Sequence, residues 1–221
     1  MKIISIIMVA YLVAIIVILA TLIITKYRKY FLPMKIISSL LFLILGTICA
    51  IYGRDVHFRN LLAGLFFCFI GDVILGYFNI RKDKRLFISG TIVFLMGHLA
   101  FIVGSITIAK ISRMELIIPI AAEIGIIFLI RNKDILLGKL KPFVYVYGIF
   151  LSGFLARSVS IFLIYRTPRS LLLMLGAIFF SISDLLILFI YFYRKKRWST
   201  HGFNIATYYI AMGLIALSIA M

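Results

Sequence analysis

The chain has 221 residues, of which 64% are hydrophobic and 14% charged, and its formal net charge is +17. A soluble domain is about 45 to 50% apolar and about 25% charged, so this composition excludes an ordinary soluble protein and predicts an all-α membrane protein. The positive charge does not indicate a nucleic-acid partner, because it is concentrated in short loops between apolar segments.

Eight apolar segments follow one another along the chain, each about long enough to cross a hydrocarbon core of roughly 30 Å. They lie at residues 3–25, 35–53, 61–79, 86–109, 115–130, 142–165, 170–193 and 203–221. The fifth is short and the second is interrupted, so seven spans is the alternative. The first segment is too long for the apolar core of a signal peptide and lacks a small-residue cleavage site, so we expect it to stay in the mature protein.

Basic residues alternate between successive loops. The loops after spans one, three, five and seven contain fifteen, and each of the other three loops contains two. The fifteen are Lys26, Arg28, Lys29, Arg81, Lys82, Lys84, Arg85, Arg131, Lys133, Lys139, Lys141 and residues 194–197. By the positive-inside rule these loops are cytoplasmic and both termini lie outside, in a multi-pass protein of the cell membrane. The alternation also favours eight spans over seven.

An internal repeat is visible between spans three and seven. A shift of 112 residues places Gly64 on Gly176 and Asp72 on Asp184. The pattern predicts one integral membrane domain over 1–221, made of two halves, 1–110 and 111–221, of four spans each. Because each half has an even number of spans, the halves run in the same direction. Chance similarity between two apolar helices is the alternative.

Asp72 and Asp184 are the most informative residues. A charge deep in a span costs roughly 2.5 to 3.5 kcal/mol on the insertion scale, so such residues face the bundle interior and commonly mark function. Neither aspartate has a cation within one helical turn, so both need partners from other helices. Both fall in the cytoplasmic half of their spans. We expect one common cavity, open toward the cytoplasm.

Five other polar residues in or near the spans are candidates to line this cavity. His98 lies near the middle of span four, and Lys35 begins span two. Asn204 and Tyr208 share one face of span eight, and Tyr147 lies in span six. Each has an ordinary alternative: a buried histidine satisfied by the core, a lysine that extends to the interface, or tyrosines of an interfacial belt.

Four further residues inside the spans are interpreted as structural. Cys49 and Cys68 indicate packing rather than a disulfide or a metal site. Glu123 in span five and Arg157 in span six are expected to pair with each other, outside the site. No cofactor is expected.

Several short motifs, taken together and in this order, resemble the YhhN family. They are the Gly-Asp step of span three, the segment FISGTIVFLMGHLAF of span four, Pro33 and Lys35 at the start of span two, the Gly-Ala and Ser-Asp pattern of span seven, and the Tyr-Tyr pair of span eight. The family includes the mammalian and bacterial lysoplasmalogenases. The resemblance therefore implies hydrolysis of the vinyl ether bond of a lysophospholipid, without a metal, to a fatty aldehyde and glycerophosphoethanolamine or glycerophosphocholine.

The resemblance also assigns residues. It implies that Asp72 and Asp184 are catalytic, with substrate lining by Lys35, His98, Tyr147, Asn204 and Tyr208. One position departs from the pattern, because Met212 stands where a glutamine is expected.

The chemistry suits two buried carboxyls independently of the family. A vinyl ether is hydrolysed by acid: a proton adds to the far alkene carbon, an oxocarbenium ion forms, and water adds to it. One carboxyl can be the general acid while the ionised partner stabilises the cation and activates water, as in glycosidases. The sequence does not say which aspartate has which role. Lys35 is expected to bind the phosphate, and Tyr147 to face the headgroup cation.

Two other classes of function remain open from sequence. Paired intramembrane carboxylates in two parallel repeats also fit a proton-coupled transporter. Against this, Pro119 is the only proline well inside a predicted span. A non-catalytic lipid-binding or scaffold protein would leave the aspartates unexplained.

Overall fold

The computed structural model describes residues 2–53, 55–194 and 198–220, and this part of the chain is almost entirely helical. Arg54 and residues 195–197 of the predicted charge pattern lie outside the described residues. Eight long helices correspond to the eight predicted spans: α1 (Lys2–Ile23), α2 (Phe31–Tyr52), α3 (Leu62–Arg81), α4 (Lys84–Ser105), α5 (Met114–Ile130), α6 (Lys141–Tyr165), α7 (Pro168–Phe192) and α8 (Trp198–Ser218). Shorter helical turns at Thr25–Tyr30, Val56–Arg59 and Gly138–Leu140 lie in the loops.

Six of these helices, α1 to α4, α6 and α7, are long and apolar enough to cross a membrane. Of the other two, α5 is shorter, with 17 residues, and α8, with 21 residues, is more polar. At 1.5 Å per residue they are still about 26 and 32 Å long, which is close to the thickness of a hydrocarbon core. The prediction of an all-α membrane protein of about eight helices is confirmed.

The outer surface of the bundle is apolar. On α1, for example, Ile6 and Ile16 are each 67% exposed and Val9 is 60% exposed. Contiguous apolar surface of this kind is rare on soluble monomers and is expected where lipid tails replace water. A set of polar side chains is buried inside the bundle, and this set includes both predicted aspartates.

Six of the helices form a closed ring. In order around the ring, α2 packs on α3, α3 on α4, α4 on α6, α6 on α7, α7 on α8, and α8 on α2. The first helix, α1, packs outside the ring against α2 and α8, and α5 packs on α6 and buries no residue. The two aspartate-bearing helices, α3 and α7, therefore occupy opposite positions in the ring.

Small residues let α3 and α4 pack closely in the ring. Gly64 of α3 and Gly97 of α4 face each other, and a Cβ added at Gly97 would lie 3.5 Å from the Gly64 carbonyl oxygen and 3.2 Å from the sulfur of Cys68. Cys49 and Cys68 are both free and buried. The interpretation of these residues as packing residues is confirmed for the cysteines and agrees with the glycine contacts.

The expected pair of Arg157 with Glu123 is wrong. Arg157, 2% exposed, instead binds the Glu115 carboxylate at 2.7 Å and donates to backbone carbonyls that include Ser105, at 2.9 Å, and Ala109. The prediction also extended span four to residue 109, whereas α4 ends at Ser105. The carbonyls at and just after the end of α4 have no helical partners, and the Arg157 guanidinium satisfies them. The predicted span was too long because Ile106, Ile108 and Ala109 continue the apolar run after the helix has ended.

Candidate active site

Both carboxylate oxygens of Asp72 have hydrogen-bond partners. On α3, Asp72 is 1% exposed, and its Oδ1 accepts from Nζ of Lys35 at 3.1 Å. Its Oδ2 accepts from the hydroxyls of Ser39 at 2.6 Å and Tyr208 at 2.7 Å. The ammonium group compensates the charge that burial would otherwise penalise. Asp72 is therefore held as one half of a buried ion pair.

A further layer of hydroxyls fixes these partners. The Tyr209 hydroxyl lies 3.0 Å from the Ser39 hydroxyl and 3.0 Å from the Lys35 carbonyl oxygen, to which it donates. The Tyr11 hydroxyl of α1 in turn donates to the Tyr209 carbonyl. The orientation of Lys35 and Ser39 thus depends on α8, and the orientation of α8 on α1.

Asp184 has a different environment. Its Oδ2 lies 2.9 Å from Nε2 of His98 and accepts from the Tyr147 hydroxyl at 2.5 Å. No described residue hydrogen-bonds to its Oδ1. The His98 ring is fully buried and stacks on Phe180 with a centroid distance of 4.4 Å. Nδ1 of His98 has no partner among the described residues, so the imidazole is held by Asp184 and by ring stacking.

The two aspartates are held in a crossed arrangement. Asp72 on α3 is bound by α2 of its own half and by α8 of the other half. Asp184 on α7 is bound by α6 of its own half and by α4 of the other half. This is the pattern expected if α1–α4 and α5–α8 are related by a twofold axis along the membrane normal. The repeat itself stays a prediction, but the crossed contacts explain how each half orients the carboxyl of the other.

A polar cavity of about 480 Å³, including the space at its open mouth, lies between the two aspartates. Asp72, Asp184 and Lys35 line it together with Asn204 and Tyr208. Its mouth lies at the end of the bundle that carries the loops after α1, α3, α5 and α7, which we call the basic end. The expected common cavity is present.

An apolar groove of about 610 Å³, including the space at its open mouth, borders the same site. It lies among α4, α6 and α7, and its walls include Phe87, Phe94, Phe143 and Leu188. Asp184 is the only carboxyl-bearing residue in the described walls of the groove, and it lines the polar cavity as well. The two spaces therefore meet at Asp184.

The side of the site away from the basic end is filled with packed aromatic rings. Phe101 and Phe154 stack with a centroid distance of 4.7 Å, and Phe101 meets Phe180 edge to face. All three rings are at most 1% exposed. Among the described residues, these rings close the side of the site away from the basic end.

The structure brings all seven sequence-predicted site residues into one region. Lys35, His98, Tyr147 and Tyr208 each contact one of the aspartates, whereas Asn204 lines the cavity and donates to the carbonyl of Ser183 at 2.8 Å. Their functional roles are not decided by this placement.

Sequence reasoning missed several residues of the site: Ser39, Asn79, Ser183, Tyr191, His201 and Tyr209. A signal existed for Ser39, because it lies four residues after Lys35 and so on the same helix face. Met212, at the position where a glutamine was expected, is fully buried in the hydrophobic core.

Comparison with known protein families identifies the family of the chain. The model of the YhhN family matches residues 30–219 of the chain. The chain belongs to the YhhN family. The match covers α2 to α8, which include every helix of the ring and both aspartates. No curated protein and no solved structure was found to match this YhhN-family sequence.

Proposed function

We propose that this YhhN-family protein is a membrane hydrolase that cleaves the vinyl ether bond of lysoplasmalogens. The observation that carries the proposal is the position of Asp184, a buried carboxyl at the junction of a polar cavity and an apolar groove. A lysoplasmalogen has the matching form: one apolar chain, one polar headgroup, and an acid-labile bond between them. Family membership supports the same activity.

The two spaces suggest how such a substrate would lie. The alkenyl chain would occupy the apolar groove, and the glycerophosphate would occupy the polar cavity with Lys35 and Asp72. The groove beside Asp184 is narrow and lined by apolar side chains, which favours a lysolipid with one chain over a two-chain lipid. The reacting vinyl ether would then lie next to Asp184.

The hydrogen bonding supports a proposal of different roles for the two carboxyls. We assign the general acid to Asp184, because its Oδ1 has no hydrogen bond from any described residue and is available for proton transfer. Asp72, whose oxygens are both engaged and which is paired with Lys35, supplies the fixed negative charge that stabilises the oxocarbenium ion. His98 and Tyr147 act as positioning residues for Asp184.

The reaction balances with one water molecule. Asp184 gives its proton to the alkene carbon remote from the ether oxygen, and the electron pair of the double bond forms the new C–H bond. Water then adds to the oxocarbenium carbon and loses a proton to a carboxylate of the pair. The resulting hemiacetal collapses to a fatty aldehyde and the glycerophospho alcohol. General acid catalysis of this kind typically contributes about 10²- to 10⁴-fold to the rate.

A proton-coupled transporter is the runner-up. The meeting of a polar cavity and an apolar groove at Asp184 favours the enzyme, because the two spaces suit a lipid with one headgroup and one chain. We further propose that the basic end faces the cytoplasm, as the positive-inside rule indicates.

The deciding experiment is aldehyde release from a defined lysoplasmalogen by the detergent-solubilised protein. Asp184→Asn and Asp72→Asn are compared with wild type at equal folded yield, and Asp134→Asn, in a loop at the basic end, is the matched control. We expect at least a 100-fold loss of rate in both site variants and no change in the control. A folded wild type that releases no aldehyde would refute the proposal, and proton-driven uptake in sealed vesicles would then be tested.

A further inference from the structure

The mouth of the polar cavity carries hydrogen-bond donors that the proposed reaction does not use. Asn79 of α3 lines the cavity, and its amide oxygen accepts from the Tyr191 hydroxyl at 3.1 Å. Its amide nitrogen has no partner among the described residues, so both N–H groups can donate to a ligand. His201, near the start of α8, lines the same mouth with its ring 5.9 Å from the ring of Phe31.

Two lysines lie near this mouth. Lys35 lines the polar cavity, and Lys82 follows Asn79 by three residues at the C-terminal end of α3, which places the two on the same face of that helix. Lys35 forms an ion pair with Asp72, whereas Lys82 forms no ion pair with any described residue. The neighbouring carboxylate, Asp83, instead caps the start of α4: its Oδ1 accepts a hydrogen bond from the backbone N–H of Arg85 at 2.9 Å.

The position of Lys82 is fixed by the end of its helix. Lys82 closes α3 in the left-handed conformation, with φ of 55°, and its Nζ lies 5.6 Å from the centre of the Phe78 ring. Phe78 packs on Tyr191, the same residue that binds Asn79. The cation and the free amide therefore belong to one packed group rather than to a mobile loop.

We infer that Lys82, His201 and Asn79 form a binding subsite for a phosphate ester anion at the mouth of the polar cavity. The inference rests on the proposed function in one respect, because the phosphate is taken to be that of the lysolipid headgroup. It changes the role expected for Lys35, which serves as the counter-ion of Asp72 while Lys82 and His201 meet the phosphate. An ammonium group and uncharged N–H donors around one opening are suited to phosphate oxygens.

The test measures binding without turnover. The ligand is a lysophosphoethanolamine with a saturated alkyl ether chain, which cannot be hydrolysed as a vinyl ether, and its partner is the 1-alkylglycerol of the same chain length, which lacks phosphate. Dissociation constants are measured in detergent for wild type, Lys82→Gln and His201→Leu, which removes the N–H donor. The controls are Lys133→Gln, which removes an exposed charge from another loop of the basic end, and His57→Leu, at an exposed histidine of the opposite end.

We expect Kd for the phosphate ligand to rise about tenfold or more in each site variant, the change typical of one lost hydrogen bond to a charged group. Kd for the 1-alkylglycerol, and both constants in the controls, should not change. Lys82→Arg keeps the charge and should bind the phosphate ligand as wild type does. Equal weakening of both ligands, or no weakening, would overturn the subsite.

Two further arms separate the possible explanations. Inorganic phosphate and glycerophosphoethanolamine are each added as competitors of the lysolipid. If inorganic phosphate competes at the same concentration as glycerophosphoethanolamine, the subsite binds free phosphate, and its role for the headgroup is overturned. Aldehyde release from a lysoplasmalogen is measured on the same preparations. Phosphate-dependent binding without aldehyde release would support the subsite and refute the hydrolase, whereas aldehyde release with phosphate-independent binding would do the reverse.

Discussion

Asp72 and Asp184 lie on opposite helices of the ring, and their surroundings differ. Asp72 faces an ammonium group and two hydroxyls, which engage both of its oxygens. Asp184 faces an imidazole and a phenol on one oxygen, and of the two aspartates it alone borders the apolar groove. The comparison teaches that two carboxyls buried in one bundle can have different environments, because neighbouring helices supply the partners of each.

The largest effect should come from breaking the ion pair on the Asp72 side. Lys35→Met leaves a buried carboxylate without its cation, which typically costs about 3 to 5 kcal/mol. We expect the free energy of unfolding in detergent to fall by that order, and to recover largely in the double variant Lys35→Met with Asp72→Asn. A double variant no more stable than the single one would show that the ammonium group is not compensating Asp72.

An intermediate effect should come from the positioning residue on the Asp184 side. His98→Leu removes the group that orients the carboxyl, and we expect kcat for aldehyde release to fall about 10- to 100-fold with little change in KM. His98→Gln keeps an N–H donor and should recover part of the rate. The same loss in both variants, or a loss confined to KM, would contradict a positioning role.

The smallest effect should come from the two phenols, and it sharpens the comparison directly. Tyr147→Phe and Tyr208→Phe each remove one hydrogen bond to a carboxylate. Inside membranes such bonds are worth about 0.6 kcal/mol on average and up to about 1.7, so we expect similarly small losses of unfolding free energy. The rate should fall more in Tyr147→Phe, because only that phenol touches the proposed general acid. A larger loss of rate in Tyr208→Phe would exchange the roles assigned to the two aspartates.

Much of the candidate site could be predicted because single residues are unusual in their local sequence. Asp72 and Asp184 are conspicuous in apolar spans, and a charge that lipid cannot solvate must face the interior. The residues that were missed, such as Ser39 and His201, are ordinary in their local sequence. They gain a role only from a neighbour on another helix, at a distance in the chain that no local pattern encodes.

The same limit explains the error over Arg157. Glu123 and Arg157 are both buried charges by sequence, and pairing them is the simplest arrangement. The guanidinium instead meets Glu115 and the free carbonyls at the end of α4. Which carbonyls need a donor depends on where α4 ends, and hydropathy does not mark that point, because apolar residues continue after Ser105.

The sequence by itself determined that this protein lies in a membrane, that it is helical, where its spans approximately lie, and that two carboxyls lie inside them. Those properties follow from the cost of exposing backbone and charge to hydrocarbon, which depends on each segment alone. Only the tertiary structure decided the closed ring of six helices, the crossed contacts that orient each aspartate, and the meeting of a polar and an apolar space at Asp184. Those properties depend on which helices pack together, and shape and hydrogen bonding between distant segments settle that choice.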